Sequence, residues 1–91
     1  MKVRLIGLKT CKYCQKLLSN YSRLNIDFEY WDADDPDKQD ELDKMKVFDV
    51  PVIQVVDDGK VVWATDPVVY PKGVSYSLVK KNIDKLDKKN E

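Results

Sequence analysis

At 91 residues the chain is expected to form a single domain spanning 1–91, long enough to bury roughly 60% of its unfolded surface without staples and so to fold reduced. Sixteen basic and sixteen acidic residues cancel, which argues against nucleic acid or an anionic membrane as a partner drawn by a global field. No apolar run approaches the roughly 20 residues of a membrane span, and no signal peptide precedes the first strand, so a cytoplasmic monomer is expected.

The first element predicted is a strand over 2–7. Val3 and Leu5 alternate with Lys2 and Arg4 before the pattern turns apolar on both faces at Ile6. Gly7 and Thr10 are read as turn residues. From Cys11 to about Leu24, Cys14, Leu17, Leu18, Tyr21 and Leu24 recur at helical spacing on one face. Residues 27–32 set Phe28 and Tyr30 against Glu29 and Trp31, as a half-buried strand does. A strand, helix and strand with short links favour a right-handed parallel crossover.

Asp35-Pro36 marks the start of a second helix running to about Lys46, with a thin apolar face of Leu42 and Met45 suited to the rim of the sheet. Residues 50–56 form the most apolar strand, and Asp58-Gly59 between it and Val61-Val62-Trp63-Ala64 signals an antiparallel hairpin. Pro67, Pro71 and Gly73 punctuate a loop of about nine residues, longer than most connections. From about Val74 to Leu86, Tyr76, Val79, Ile83 and Leu86 make the stripe of a last helix, whose Lys-rich end is expected to fray. Trp31 and Trp63 read as packing residues.

The two cysteines, Cys11 and Cys14, are three apart, a spacing that chance would give in about 2% of arrangements. At a helix start the first thiol meets unpaired N–H groups and the positive end of the dipole, which favour a thiolate. The second lies one turn inside, within disulfide reach. A redox pair, a metal shared between two chains and inert thiols are the readings that stand. A one-chain zinc site lacks ligands, because the chain has no histidine and no further cysteine. Charge is segregated as well: residues 32–43 are acidic, while Lys2, Arg4, Lys9, Lys12 and Lys16 are read as a basic active end. That pattern suits either two solvated faces or a basic rim for an acidic thiol substrate.

Three features resemble glutaredoxin, the thioredoxin fold in its smallest form. Cys11-Lys12-Tyr13-Cys14 resembles that family's Cys-Pro-Tyr-Cys, Asp49-Val50-Pro51 its Thr-Val-Pro, and the length agrees. The likeness is good to about Ala64 and weaker beyond it. It implies an α/β fold of order βαβαββα, a four-stranded mixed sheet flanked by helices. It also implies a thiol–disulfide oxidoreductase in which Cys11 is the nucleophile and Cys14 the resolving thiol. Proline is excluded from central ladder positions, so Pro51 belongs at the start of its strand. The resemblance makes its peptide bond cis and sets it facing the cysteines, with the Val50 backbone free to pair with an extended thiol substrate. Tyr13 would be a substrate wall, and Lys9, Lys12, Thr65 and Asp66 would meet glutathione or a protein thiol. Leu8 stands where the family carries Lys or Arg, Lys12 replaces its proline, and Ala64-Thr65-Asp66-Pro67 replaces its Gly-Gly segment.

Neither a metal nor an organic cofactor is required by this reading. Glutathione is the expected reductant, with a thioredoxin reductase as the alternative. The substrate would be a glutathione mixed disulfide or a protein disulfide, ribonucleotide reductase being one candidate. A separate alternative is an iron–sulfur protein in which Cys11 of two chains and two glutathiones hold the cluster.

Overall fold

The structure is a computed structural model and describes residues 1–89. In chain order it contains β1 (Lys2–Gly7), α1 (Lys12–Ser22), β2 (Phe28–Asp32), a 3-10 turn (Pro36–Lys38) leading into α2 (Gln39–Lys44), β3 (Val52–Asp57), β4 (Lys60–Ala64) and α3 (Tyr76–Lys89). The four strands form one mixed sheet in the order β2-β1-β3-β4, with β1 parallel to β2 and antiparallel to β3. Element order and sheet agree with the expected βαβαββα arrangement. The expected fraying falls on residues 90–91, outside the described residues. No helix among the described residues is long and apolar enough to cross a membrane.

Alternation along the strands sends side chains to two faces, and each face has its own core. On one, Val3, Leu5, Ile53 and Val55 pack with Leu17 and Tyr21 of α1 and Val79 of α3. On the other, Ile6 and Val52 pack with Leu42 of α2. Ile6 therefore breaks the polar alternation of β1 because Leu42, the one buried residue of α2, packs on it. The same duality explains β2. Phe28 and Tyr30 join the larger core while Trp31 joins the smaller, so all five residues of this edge strand are half-buried. The stripe Tyr76, Val79, Ile83 and Leu86 of α3 meets the larger core as its spacing required.

Local chemistry fixes the boundaries. Asp35 accepts the Asp37 N–H at 3.0 Å and caps the 3-10 turn, with Pro36 at its first position. α2 ends earlier than expected because Lys46 adopts φ 56°, and Val47 N–H reaches back to the Leu42 carbonyl at 2.9 Å, a Schellman closure on a non-glycine residue. Asp58 and Gly59 both take positive φ, 51° and 77°, as the primed turn of a two-residue hairpin demands. The register slips between Val55 and Val56, so β4 carries a bulge at the sheet edge. α1 stops at Ser22, two residues short of Leu24, which is exposed and not part of the buried stripe.

Lys2 and Arg4 do not belong to the active end. Arg4 donates to Glu29 at 2.7 Å and to Gln54 at 3.1 Å, with its guanidinium 3.8 Å from the Trp31 ring centroid, and Lys2 lies 3.7 Å from Glu29. Burial pushes the Glu29 carboxyl up, but the Arg4 hydrogen bond and the charges of Arg4, Lys2 and Lys38 outweigh it and hold the group below the ordinary carboxylate range.

Candidate active site

Cys11 is the N-cap of α1, in an extended conformation at φ −90° and ψ 111°, and its Sγ accepts the Cys14 N–H at 3.2 Å. A sulfur thus occupies the place where Ser or Asp usually caps a helix, among N–H groups with no partner within the helix. The Cα atoms of Cys11 and Cys14 are 5.2 Å apart, and the two sulfurs are joined as a disulfide. Cys11 is half-buried, whereas Cys14 is fully buried. The approach is one-sided: an incoming sulfur can reach Cys11 but not Cys14.

Gly7 explains the burial of Cys14. It ends β1 without a positive φ, and a Cβ added there would stand 2.7 Å from Cys14 Cβ and 3.1 Å from its Sγ. Its role is to leave space for Cys14, not to turn the chain as expected. The turn that follows is closed by Cys11 N–H to the Leu8 carbonyl at 3.2 Å and by the Gln15 amide to the same oxygen at 3.0 Å. Beside Gly7 lies the Tyr30 ring, whose hydroxyl is buried without a hydrogen bond. Burial raises the pKa of that hydroxyl, the nearby Gln15 amide lowering it and Asp32 raising it further.

Antiparallel pairing of Ile6 with Val52 brings Val50 and Pro51, at the start of β3, to the end of β1 from which the cysteine turn departs. The Val50–Pro51 peptide is cis, as the resemblance implied, with Pro51 buried and Val50 half-buried. Thr65 extends β4 to the same end: its N–H donates to the Ile53 carbonyl at 2.9 Å and its hydroxyl accepts the Ile53 N–H at 3.0 Å. The exposed Asp66 carboxylate accepts the Val68 N–H at 2.8 Å. Lys9 and Lys12 are exposed and Tyr13 is 47% exposed. Lys72, whose Nζ stands 5.4 Å from the Tyr13 ring centroid, carries no local sequence signal; only the unusual length of its loop marks the region. Among the described residues no three His, Cys, Asp or Glu stand together to hold a metal ion.

These features define a thioredoxin-like α/β fold with a Cys-x-x-Cys pair at the N-terminus of its first helix. No family model matches the sequence, and no curated protein matches it. Two solved structures are similar. Thioredoxin 1 from the thermophilic eubacterium Thermosipho africanus TCF52B superposes with a TM-score of 0.69 at 21% identity, covering 100% of both chains. Mitochondrial thioredoxin 3 from Saccharomyces cerevisiae, in its oxidized form, gives a TM-score of 0.57 at 19% identity over 79% of this chain and 74% of that one. The fold is that of the thioredoxins.

Proposed function

We infer that the protein is a thiol–disulfide oxidoreductase of glutaredoxin type, acting in the cytoplasm on glutathione mixed disulfides or protein disulfides. The observation that carries this reading is the asymmetry of the pair, an accessible sulfur capping α1 and a buried one held 5.2 Å away between Cα atoms. In the reduced protein the Cys11 thiolate attacks one sulfur of the substrate disulfide. A mixed disulfide forms and the first substrate thiolate departs. Cys14 then loses its proton and attacks the Cys11 sulfur, the second substrate thiol leaves with a proton, and the Cys11–Cys14 disulfide remains. Two electrons have passed from the dithiol to the substrate, and two glutathione molecules return them while becoming glutathione disulfide. No metal or organic cofactor enters these steps.

In this reading the Val50 backbone pairs with the extended thiol substrate beside Pro51, Tyr13 forms a wall, and Lys9 and Lys12 meet a carboxylate. Asp66 takes the ammonium of the γ-glutamyl end, and Thr65, its hydroxyl engaged by Ile53, sets the position of Asp66. Reduction by a thioredoxin reductase is the second reading, favoured by the likeness to thioredoxin structures. The first reading is tested by exposing Cys14→Ser to glutathione disulfide and weighing the product. One glutathione attached at Cys11 is expected, and an unmodified protein would contradict it.

A further inference from the structure

We propose that the groove between α1 and the loop before α3 binds an apolar, acidic segment of a protein substrate, next to the sulfur that Cys11 attacks. The inference rests on the oxidoreductase reading and adds to it the chemical class of the chain around the target disulfide. The groove is a cavity of about 500 Å³ between α1 and the loop that leads into α3. It is of the size that holds drug-sized ligands or a few residues of chain. Tyr13 and Lys16 line one end and Leu24, just past the end of α1, the other; the helical part, Tyr13 to Ser22, is ten residues or about 15 Å. About five extended residues at roughly 3.3 Å each span that length.

Both walls are pinned. Tyr21 donates its buried hydroxyl to the Val74 carbonyl at 2.7 Å, tying the loop to α1. Gly73, at φ 76°, lets the loop come so close that an added Cβ would strike the Leu17 side chain. The groove is thus formed before anything binds, which lowers the ordering cost of binding.

Its chemistry selects the occupant. Leu17, Leu24 and Val74 with the rings of Tyr13 and Tyr76 supply apolar walls, and the two charged residues in the lining are Lys16 and Lys72. No carboxylate lines it, and among the described residues neither lysine takes part in a salt bridge. The acidic stretch 32–43 lies instead in the segment that forms α2, on the opposite face of the sheet. A chain with a net charge of zero therefore presents a cationic, apolar groove whose mouth is Tyr13, the residue before Cys14. A segment carrying carboxylates among apolar side chains is complementary to it.

The test uses two peptides with one cysteine each, blocked as a mixed disulfide with 2-mercaptoethanol. One is flanked on both sides by alternating leucine and glutamate, the other by leucine and lysine. The wild-type protein is expected to reduce the acidic peptide with a kcat/KM about three- to tenfold higher at low salt. The preference should shrink at about 0.5 M salt. Lys16→Glu with Lys72→Glu, both at exposed positions, should reverse it, and Asn20→Trp, which fills the groove, should weaken both peptides. The same acidic-to-basic ratio in wild type and double variant would overturn the proposal. So would self-association abolished by the double variant, which would assign the groove to a second copy. Versions of the peptides with serine for cysteine, titrated calorimetrically, separate the two readings. Selective binding of the acidic serine peptide by a protein that reduces nothing would uphold the groove and sink the oxidoreductase reading. Turnover without any selectivity would do the reverse.

Discussion

Cys11 and Cys14 differ in what the fold leaves each free to do, and their substitutions should separate accordingly. Cys11→Ser is expected to abolish reduction of every disulfide, since the buried Cys14 cannot be reached from outside. Cys14→Ser should keep the one-thiol reaction with glutathione mixed disulfides, because that route needs only Cys11 and glutathione. Equal loss in both variants on such a substrate would contradict the one-thiol route. Gly7→Ala places a methyl 2.7 Å from Cys14 Cβ, and overpacking of this kind costs about 1–3 kcal/mol. Urea unfolding of the variant should show that loss, and unchanged stability would mean that Cys14 moves freely. Lys12 stands beside the nucleophile, where a screened charge contributes about 0.2–1 kcal/mol, less than the helix terminus supplies. Lys12→Gln should slow alkylation of the reduced protein by iodoacetamide at neutral pH by less than about fivefold, the difference fading with salt. Identical rates at low salt would show the lysine to be a bystander.

At the scale of elements, α1 is the part on which the site depends, and Tyr21 is its anchor. Its hydroxyl reaches the Val74 carbonyl at 2.7 Å, and its ring meets Phe28 and Tyr76 at 5.8 and 6.1 Å between centroids. Tyr21→Phe leaves that buried carbonyl without its donor and is expected to cost about 1–3 kcal/mol. Burial first, and neighbouring Tyr76 second, push the Tyr21 pKa above the value near 10 of the unfolded chain. The unfolded state therefore releases this proton first. The contribution is intact below about pH 10 and is lost as pH rises above it. Thermal midpoints at about pH 8 and 11 should fall more for wild type than for Tyr21→Phe, and parallel falls would contradict the assignment.

What the sequence shows and hides is also clearest among the elements. Helical spacing in α1 and α3 and the Asp58-Gly59 turn are local signals, and the structure follows them. The end of α2 is not legible in the sequence, because Lys46 takes a left-handed conformation usually left to glycine. Its hold on the sheet is Leu42 against Ile6 and Val52, residues far apart in the chain whose meeting no local pattern announces. Lys2 and Arg4 look like neighbours of the site only along the chain; parallel pairing with β2 sets Arg4 beside Glu29. The partnership of Lys72 with Tyr13 was hidden for the same reason, since it depends on where the loop after β4 crosses α1.

Across the whole molecule, the sheet gathers three segments distant in sequence, the turn before Cys11, Val50-Pro51 and Thr65-Asp66, at one end. In the proposed function, this gathering is what lets an extended chain enter beside Cys11. The property proposed for the site is electron transfer from the Cys11–Cys14 dithiol to a disulfide. The most direct measurement is steady-state reduction of a glutathione mixed disulfide, with glutathione as electron source and then with thioredoxin reductase. The wild-type protein is predicted to turn over with glutathione and Cys11→Ser to be inert. Turnover with the reductase alone would move the protein to the thioredoxin reading, and no turnover with either donor would contradict the oxidoreductase assignment itself.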